Sequence, residues 1–238
     1  MSSTSPSDLQ RWLMKLAALV TGGSSGIGLA IAHCLRADGF DLTLVGRTRE
    51  KVEAAAQELS GLGLTADLAQ DDECHAVVER HRDRYGRLDV LVNSAGVGFA
   101  GPIDELSAKH LDLQLDVNLR AVLLVTAAAL PLLREAHGLV VSLASVAGTI
   151  PSPSLPVYGA SKAAVIQFTQ TINRAEEKNG VRATAISPGF VDTPMTDFAP
   201  VPKERMIRAE DCAEIVRLLL RLSPYARIPH LVVERVDT

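Results

Sequence analysis

The chain has 238 residues, of which 47% are hydrophobic and 22% charged, with a formal net charge of −4. That length suits one large α/β domain, and the apolar content is enough to fill a core, which excludes a disordered chain. The mild acidity excludes the basic footprint of a nucleic-acid binder.

In chain order, residues 1–14 read as a flexible tail, Ser-rich with Pro6, and residues 15–238 as a single domain. Trp12–Val20 faintly resembles a signal-peptide core, but Lys15 breaks it and it runs straight into a glycine turn. Short β-like runs follow at Leu16–Val20, Leu42–Val45, Leu64–Ala66, Val90–Val92, Leu139–Leu143, Arg182–Ile186 and Leu231–Val233. Between them lie amphipathic helical stretches: Gly26–Ala37, Glu50–Leu59, Asp71–Tyr85, Ser107–Leu130, Tyr158–Lys178 and Ala209–Leu222. Asp71-Asp72-Glu73 suits a helix first turn, where the dipole favours acids. Strands separated by helices need crossover connections. The expected fold is therefore a Rossmann-type doubly wound parallel sheet of about seven strands, helices on both faces, a three-layer sandwich. Ligands of such sheets bind beyond the carboxyl ends of the strands.

The longest apolar run, Ala121–Leu133, contains Thr126 and Pro131 and falls short of the roughly 20 residues of a membrane span. Cys34, Cys74 and Cys212 are scattered, without Cys-x-x-Cys spacing, and suit buried reduced thiols in a cytoplasmic protein. His75 and His81 are not spaced to share a helix face, so no metal site is expected.

The turn after the first strand, "LVTGGSSGIGLAIA", admits two chemistries. As Gly22-x-Ser24-x-Gly26 it would be a nucleophile elbow, with Asp192 or Asp211 and His230 completing a hydrolase triad. That elbow needs an upstream loop to supply an oxyanion N–H, and the short stretch before this strand offers none. As a phosphate loop it fits better. Gly22 permits the tight turn, Gly26 lets the backbone approach a pyrophosphate, and Gly28 lets the helix pack close. The helix N-terminus then aims free N–H groups at the phosphates, with Ser24 and Ser25 as hydroxyl donors.

The spacing Thr-Gly-x-x-x-Gly-Ile-Gly resembles the short-chain dehydrogenase/reductase family. The resemblance continues, in order, through Asn93-Ser94-Ala95-Gly96, Asn118, Ser145, Tyr158-Gly-Ala-Ser-Lys162 and Pro188-Gly189, covering roughly residues 15–195. Ser94 departs from the family's usual second Asn. The resemblance implies a single dinucleotide-binding catalytic domain that reduces a small carbonyl substrate or oxidises an alcohol, with catalytic Asn118, Ser145, Tyr158 and Lys162. It implies a cofactor site of Gly22, Ser24, Ser25, Gly26, Ile27, Gly28, Arg47, Asp67, Leu68, Asn93, Ala95, Gly96, Tyr158, Lys162, Pro188, Gly189, Val191 and Thr193. A non-catalytic dinucleotide-binding regulator is the alternative, although it would have no need of Tyr158 and Lys162, which are both kept.

Tyr158 and Lys162 stand one helical turn apart, about 6 Å along the axis. A phenol titrates near 10, and a proton donor at neutral pH works best about three units lower, about 4 kcal/mol. One ammonium at ~4 Å and an effective dielectric near 20 supplies about that much. Ser145 would bond the substrate oxygen; Ser142, on the same strand, is the bland alternative. Asn118, a poor helix former, would hold a water that passes protons from Lys162 to solvent. Asp67 would accept from the adenine amine or cap the next helix.

The second strand ends in Val45-Gly46-Arg47-Thr48-Arg49, with no acid to grip a ribose 2′-hydroxyl. Arg47 could pair a 2′-phosphate, so NADP(H) is favoured and NAD(H) remains the alternative. The Ser107–Leu130 helix is apolar on more than one face, and the family pairs through it and the Tyr158–Lys178 helix. A homodimer or homotetramer is expected. Substrate choice falls to the Ile150–Val157 loop and to Pro194–Arg208, with Phe190, Met195 and Phe198 as apolar lining. Lys203, Arg205 and Arg208 are candidate partners for a substrate carboxylate. The ending "AEDCAEIVRLLLRLSPYARIPHLVVERV" resembles the branch of 3-hydroxy acid and serine dehydrogenases and related carbonyl reductases.

Overall fold

In the computed structural model, residues 15–197 and 199–236 are described; the expected tail at 1–14 and Phe198 lie outside them. The strands are β1 (Ala17–Thr21), β2 (Asp41–Gly46), β3 (Leu62–Thr65), β4 (Val90–Asn93), β5 (Leu139–Leu143), β6 (Arg182–Pro188) and β7 (His230–Val233). They form one sheet in the order β3-β2-β1-β4-β5-β6-β7, and every neighbouring pair is parallel. The order reverses between β1 and β4, which opens a crevice at their carboxyl ends.

The helices are α1 (Gly26–Ala37), α2 (Arg49–Glu58), α3 (Asp71–Tyr85), α4 (Ala108–Ala136), α5 (Pro156–Ala175) and α6 (Ala209–Arg221). Strand residues pointing one way, Val20, Leu44, Val92 and Val141 among them, pack with α1, α2 and α6. Those pointing the other way, such as Leu19, Leu91 and Val140, pack with α3, α4 and α5. Central strands are buried on both faces because helices cover both, hence their unbroken apolar runs.

Two of the boundaries that differ from the sequence expectation have clear physical reasons. β3 starts earlier, at Leu62, because its register against Thr43–Gly46 sets its extent. Gly63 hid that start, yet a Cβ there would stand 2.9 Å from the Ala56 side chain of α2. α4 runs through Pro131 to Ala136 rather than stopping at Leu130. A helix-interior proline costs about 3 kcal/mol; burying Leu132 and Leu133 beyond it returns about 1.5–3 kcal/mol each. α4 is also not uniform, since Asp116–Arg120 is a π turn containing Asn118.

At 29 residues, α4 is long and apolar enough to cross a membrane by length and composition, although the longest apolar run in the sequence is shorter. Here Ala121, Val125, Ala129 and Leu133 are instead buried against the sheet. Cys34, Cys74 and Cys212 are free and buried. Burial pushes the thiols up, to about 11 for Cys74 and about 12 for Cys212, so they stay protonated.

Candidate active site

The crevice is built from the carboxyl ends of β1, β4, β5 and β6. Gly22 follows β1 with φ +65°, where a side chain is strained. A Cβ on Gly28 would lie 2.3 Å from the Gly22 carbonyl oxygen, so α1 begins directly against the turn. The N-cap, Ser25, makes no side-chain capping bond, and the first turn of α1 carries no acid. Its leading N–H groups therefore suit an anion.

A cleft of about 200 Å³ opens in front of them, lined on one side by Gly22, Ser25, Gly26 and Ile27. Ala95, Gly96, Ser145, Tyr158, Lys162, Pro188, Gly189, Val191 and Thr193 complete its walls. This donor set fits a dinucleotide: N–H groups for phosphates, a lysine ammonium for ribose oxygens, and a small-residue wall for a flat ring.

Other residues singled out in the sequence stand behind or beyond that wall. Ser24 turns toward Gly46, where an added Cβ would meet its hydroxyl at 2.6 Å. Asn93 is buried and donates its amide to Thr126 of α4 at 3.0 Å. Leu68 is in the core, and its carbonyl accepts from Cys74. Asp67 is exposed and its carboxylate accepts from the Ala69 N–H at 3.2 Å, a local turn rather than a cap of α3, whose N-cap is Gln70. Arg47 is exposed at the end of β2 and makes no ion pair among the described residues.

Asn118 also does structural work. It is fully buried, and its side chain clamps the backbone of Val97. Its Oδ1 accepts the Val97 N–H and its Nδ2 donates to the Val97 carbonyl, both at 2.8 Å. Nδ2 also donates to the Ser161 hydroxyl at 3.3 Å. Both Nδ2 hydrogens and one Oδ1 lone pair are thus engaged in holding the loop after β4 and Ser161. The sequence reading also missed Thr21, the residue just before Gly22. Its hydroxyl accepts the N–H groups of Ser94 and Ala95 at 3.1 and 3.2 Å, tying β1 to the β4 loop. Gln114 acts similarly on Phe99 at 3.2 Å.

Ser145 lines the cleft, whereas Ser142 is buried in the core with its hydroxyl unpartnered among the described residues. Ser145 caps the Val146–Gly148 turn. That turn packs closely on α5, since a Cβ on Gly159 would meet the Ala147 carbonyl oxygen at 2.7 Å. Ser145 is thereby pinned on the same cleft wall as Tyr158.

Lys162 is 4% exposed, and its ammonium donates to the Leu143 carbonyl at 2.7 Å. It lies 5.6 Å from the centre of the Tyr158 ring. Burial pushes this lysine down to about 8. Burial pushes the Tyr158 phenol above its usual 10, and the nearby Ser145 hydroxyl acts in the opposite direction. Of these influences on the phenol, burial is the largest.

A second pocket, about 610 Å³, adjoins the cleft, and Ser145, Tyr158, Gly189, Met195 and Thr196 line both. Ile150, Pro151, Pro153, Leu155 and Phe190 form much of its remaining wall. The expected loop is thus present. Lys203 instead pairs with Asp197 and Asp192, and Arg208 with Asp211, and none of Lys203, Arg205 and Arg208 lines this pocket. Glu234 and Arg235, which the sequence reading passed over, do.

Comparison with known proteins agrees with this geometry. The family model described as short chain dehydrogenase matches residues 16–202. An uncharacterized oxidoreductase of Staphylococcus epidermidis is 35% identical over 92% of this chain and 96% of its own. One from Staphylococcus aureus is 33% identical over 92% of this chain and 96% of its own. Among solved structures, an alcohol dehydrogenase from the archaeon Thermococcus sibiricus, complexed with 5-hydroxy-NADP, superposes with TM-score 0.85. It is 30% identical and covers 92% of this chain and 95% of its own. A short chain dehydrogenase from Burkholderia cenocepacia, in complex with NADP, gives TM-score 0.84 at 32% identity, covering 92% of this chain and 96% of its own.

Proposed function

Because this chain belongs to the short-chain dehydrogenase family of oxidoreductases, we propose that it transfers a hydride between nicotinamide C4 and a carbonyl or secondary alcohol, with Tyr158 as general acid and base. The observation that carries this reading is the position of Tyr158. Together with Ser145 it stands where the cofactor cleft meets the apolar pocket, one helical turn from Lys162.

When bound, the nicotinamide supplies the hydride and, once oxidised, a positively charged ring. In carbonyl reduction the Ser145 hydroxyl donates to the substrate oxygen as negative charge gathers there. Tyr158 then gives its proton to that oxygen. Lys162, held by the Leu143 carbonyl, stabilises the resulting phenolate and donates to ribose hydroxyls.

NADPH is the favoured cofactor. The support is the exposed Arg47 at the end of β2, which makes no ion pair among the described residues, and the lack of an acid there to grip a ribose hydroxyl. The two similar solved structures carry NADP or its 5-hydroxy form. A homodimer or homotetramer through α4 and α5 is the expected assembly. In the most apolar stretch of α4 only 39% is buried, and a second copy would cover the remainder. The reduced, buried thiols suit a cytoplasmic enzyme.

The test follows NADPH absorbance against a panel of ketones and oxo acids. Tyr158→Phe is expected to abolish turnover while NADPH binding survives. Undiminished turnover in that variant would overturn the acid/base assignment.

A further inference from the structure

The adjoining pocket has largely apolar walls, yet two charged residues border it, and both come from the segment after β7. The placement follows from strand register. Pro188 pairs with Val233, and the Gly189 N–H donates to the Val233 carbonyl at 2.9 Å. A Cβ on Gly189 would stand 3.9 Å from the Arg235 amide nitrogen. The chain therefore leaves the sheet alongside the turn that lines both cleft and pocket, and delivers Glu234 and Arg235 to the pocket wall.

The two charges are unequal. Glu234 is exposed, where water and salt screen it, whereas Arg235 is half-buried. The basic residues of the neighbouring Pro194–Arg208 segment do not compete for this role, because none of Lys203, Arg205 and Arg208 lines the pocket. We propose that Arg235 is a specificity-determining residue that binds a carboxylate at the end of the substrate remote from the carbonyl. This makes oxo and hydroxy carboxylates the substrate class. The inference rests on the carbonyl-reduction reading above.

The guanidinium suits this task. It carries five N–H donors in a rigid fork, so a contact it makes within the chain leaves donors for a ligand. A carboxylate takes two of them in parallel, a charge-assisted geometry stronger than a neutral hydrogen bond. The apolar wall of Ile150, Leu155 and Phe190 shields the carbons between carbonyl and carboxylate.

The experiment uses linear oxo carboxylates of increasing length, each beside its methyl ester, which keeps the shape and removes the charge. For the wild type, kcat/KM should favour the acid at one or more lengths. In Arg235→Leu the acid-to-ester ratio should fall about 10- to 100-fold, mainly through KM, and Arg235→Lys should restore part of it. Equal preference for acid and ester in the wild type at every length, or an unchanged ratio in Arg235→Leu, overturns the proposal. If neither acid nor ester is turned over, the carbonyl-reduction reading fails on its own. Calorimetric titration of the same acids into enzyme with NADP then decides about Arg235: weaker binding in Arg235→Leu supports it, and equal binding overturns it.

Discussion

Replacing Asn118 by leucine separates a positioning role from a proton-passing one. The side chain is fully buried and satisfies both backbone groups of Val97 at 2.8 Å. Leucine keeps the approximate volume and removes every polar atom. Each buried polar group left unmade costs about 1–3 kcal/mol. Val97 is half-buried, so water recovers part of that cost, and the lower half of the range applies to its two groups. The expected loss is about 2–4 kcal/mol, a large share of a domain's typical 5–15 kcal/mol. The Ser161 hydroxyl keeps its bond to the Tyr158 carbonyl at 2.7 Å, so it adds little. Freed from Val97, the loop carrying Gly96 and Gly98 no longer holds the walls of cleft and pocket, and NADPH affinity should fall about tenfold, ~1.4 kcal/mol. Urea unfolding measures the first effect and fluorescence titration with NADPH the second. A variant with wild-type stability and wild-type NADPH affinity, impaired only in kcat, would refute the positioning argument and leave Asn118 as a proton conduit.

Further outcomes are expected elsewhere. Gly28→Ala puts a Cβ 2.3 Å from the Gly22 oxygen, so α1 must move away from the turn. Overpacking of this kind costs about 1–3 kcal/mol, and calorimetric NADPH binding should weaken alongside stability; unaltered binding would contradict the close-packing role. His81 is fully buried, donating from Nε2 to the Arg87 carbonyl at 2.9 Å and accepting at Nδ1 from Thr43 at 2.8 Å, and burial lowers its pKa. The unfolded chain then takes up this proton more readily than the folded one. The His81 contribution is complete above its ordinary value near 6.5 and is lost as pH falls from there toward the lowered folded value. Unfolding free energies between neutral and mildly acidic pH should show this slope, and His81→Gln should flatten it. Arg47→Asp should lower the NADPH-to-NADH preference about 10- to 100-fold in steady-state assays, because an acid repels the 2′-phosphate and accepts from a free ribose hydroxyl. An unchanged preference would place cofactor discrimination on another residue.

The alternation of apolar runs with helical periodicity already required a parallel, doubly covered sheet, because parallel neighbours need crossovers and both sheet faces need burial. The residue types at the strand ends likewise named the chemistry: a glycine turn for phosphates and a tyrosine one turn from a lysine. What local sequence does not encode is direction and environment. Asn93 and Ser24 have the right identities and adjacent positions, yet packing turns their side chains behind the cleft. The spacing of Tyr158 and Lys162 suggests an ion pair, while their titration depends on how much water the surrounding fold removes. The arrival of Arg235 at the substrate pocket depends on the register of β7 against β6, a contact between residues over forty positions apart in the chain. Periodicity is a property of neighbours along the chain, whereas desolvation and register are set by neighbours across it.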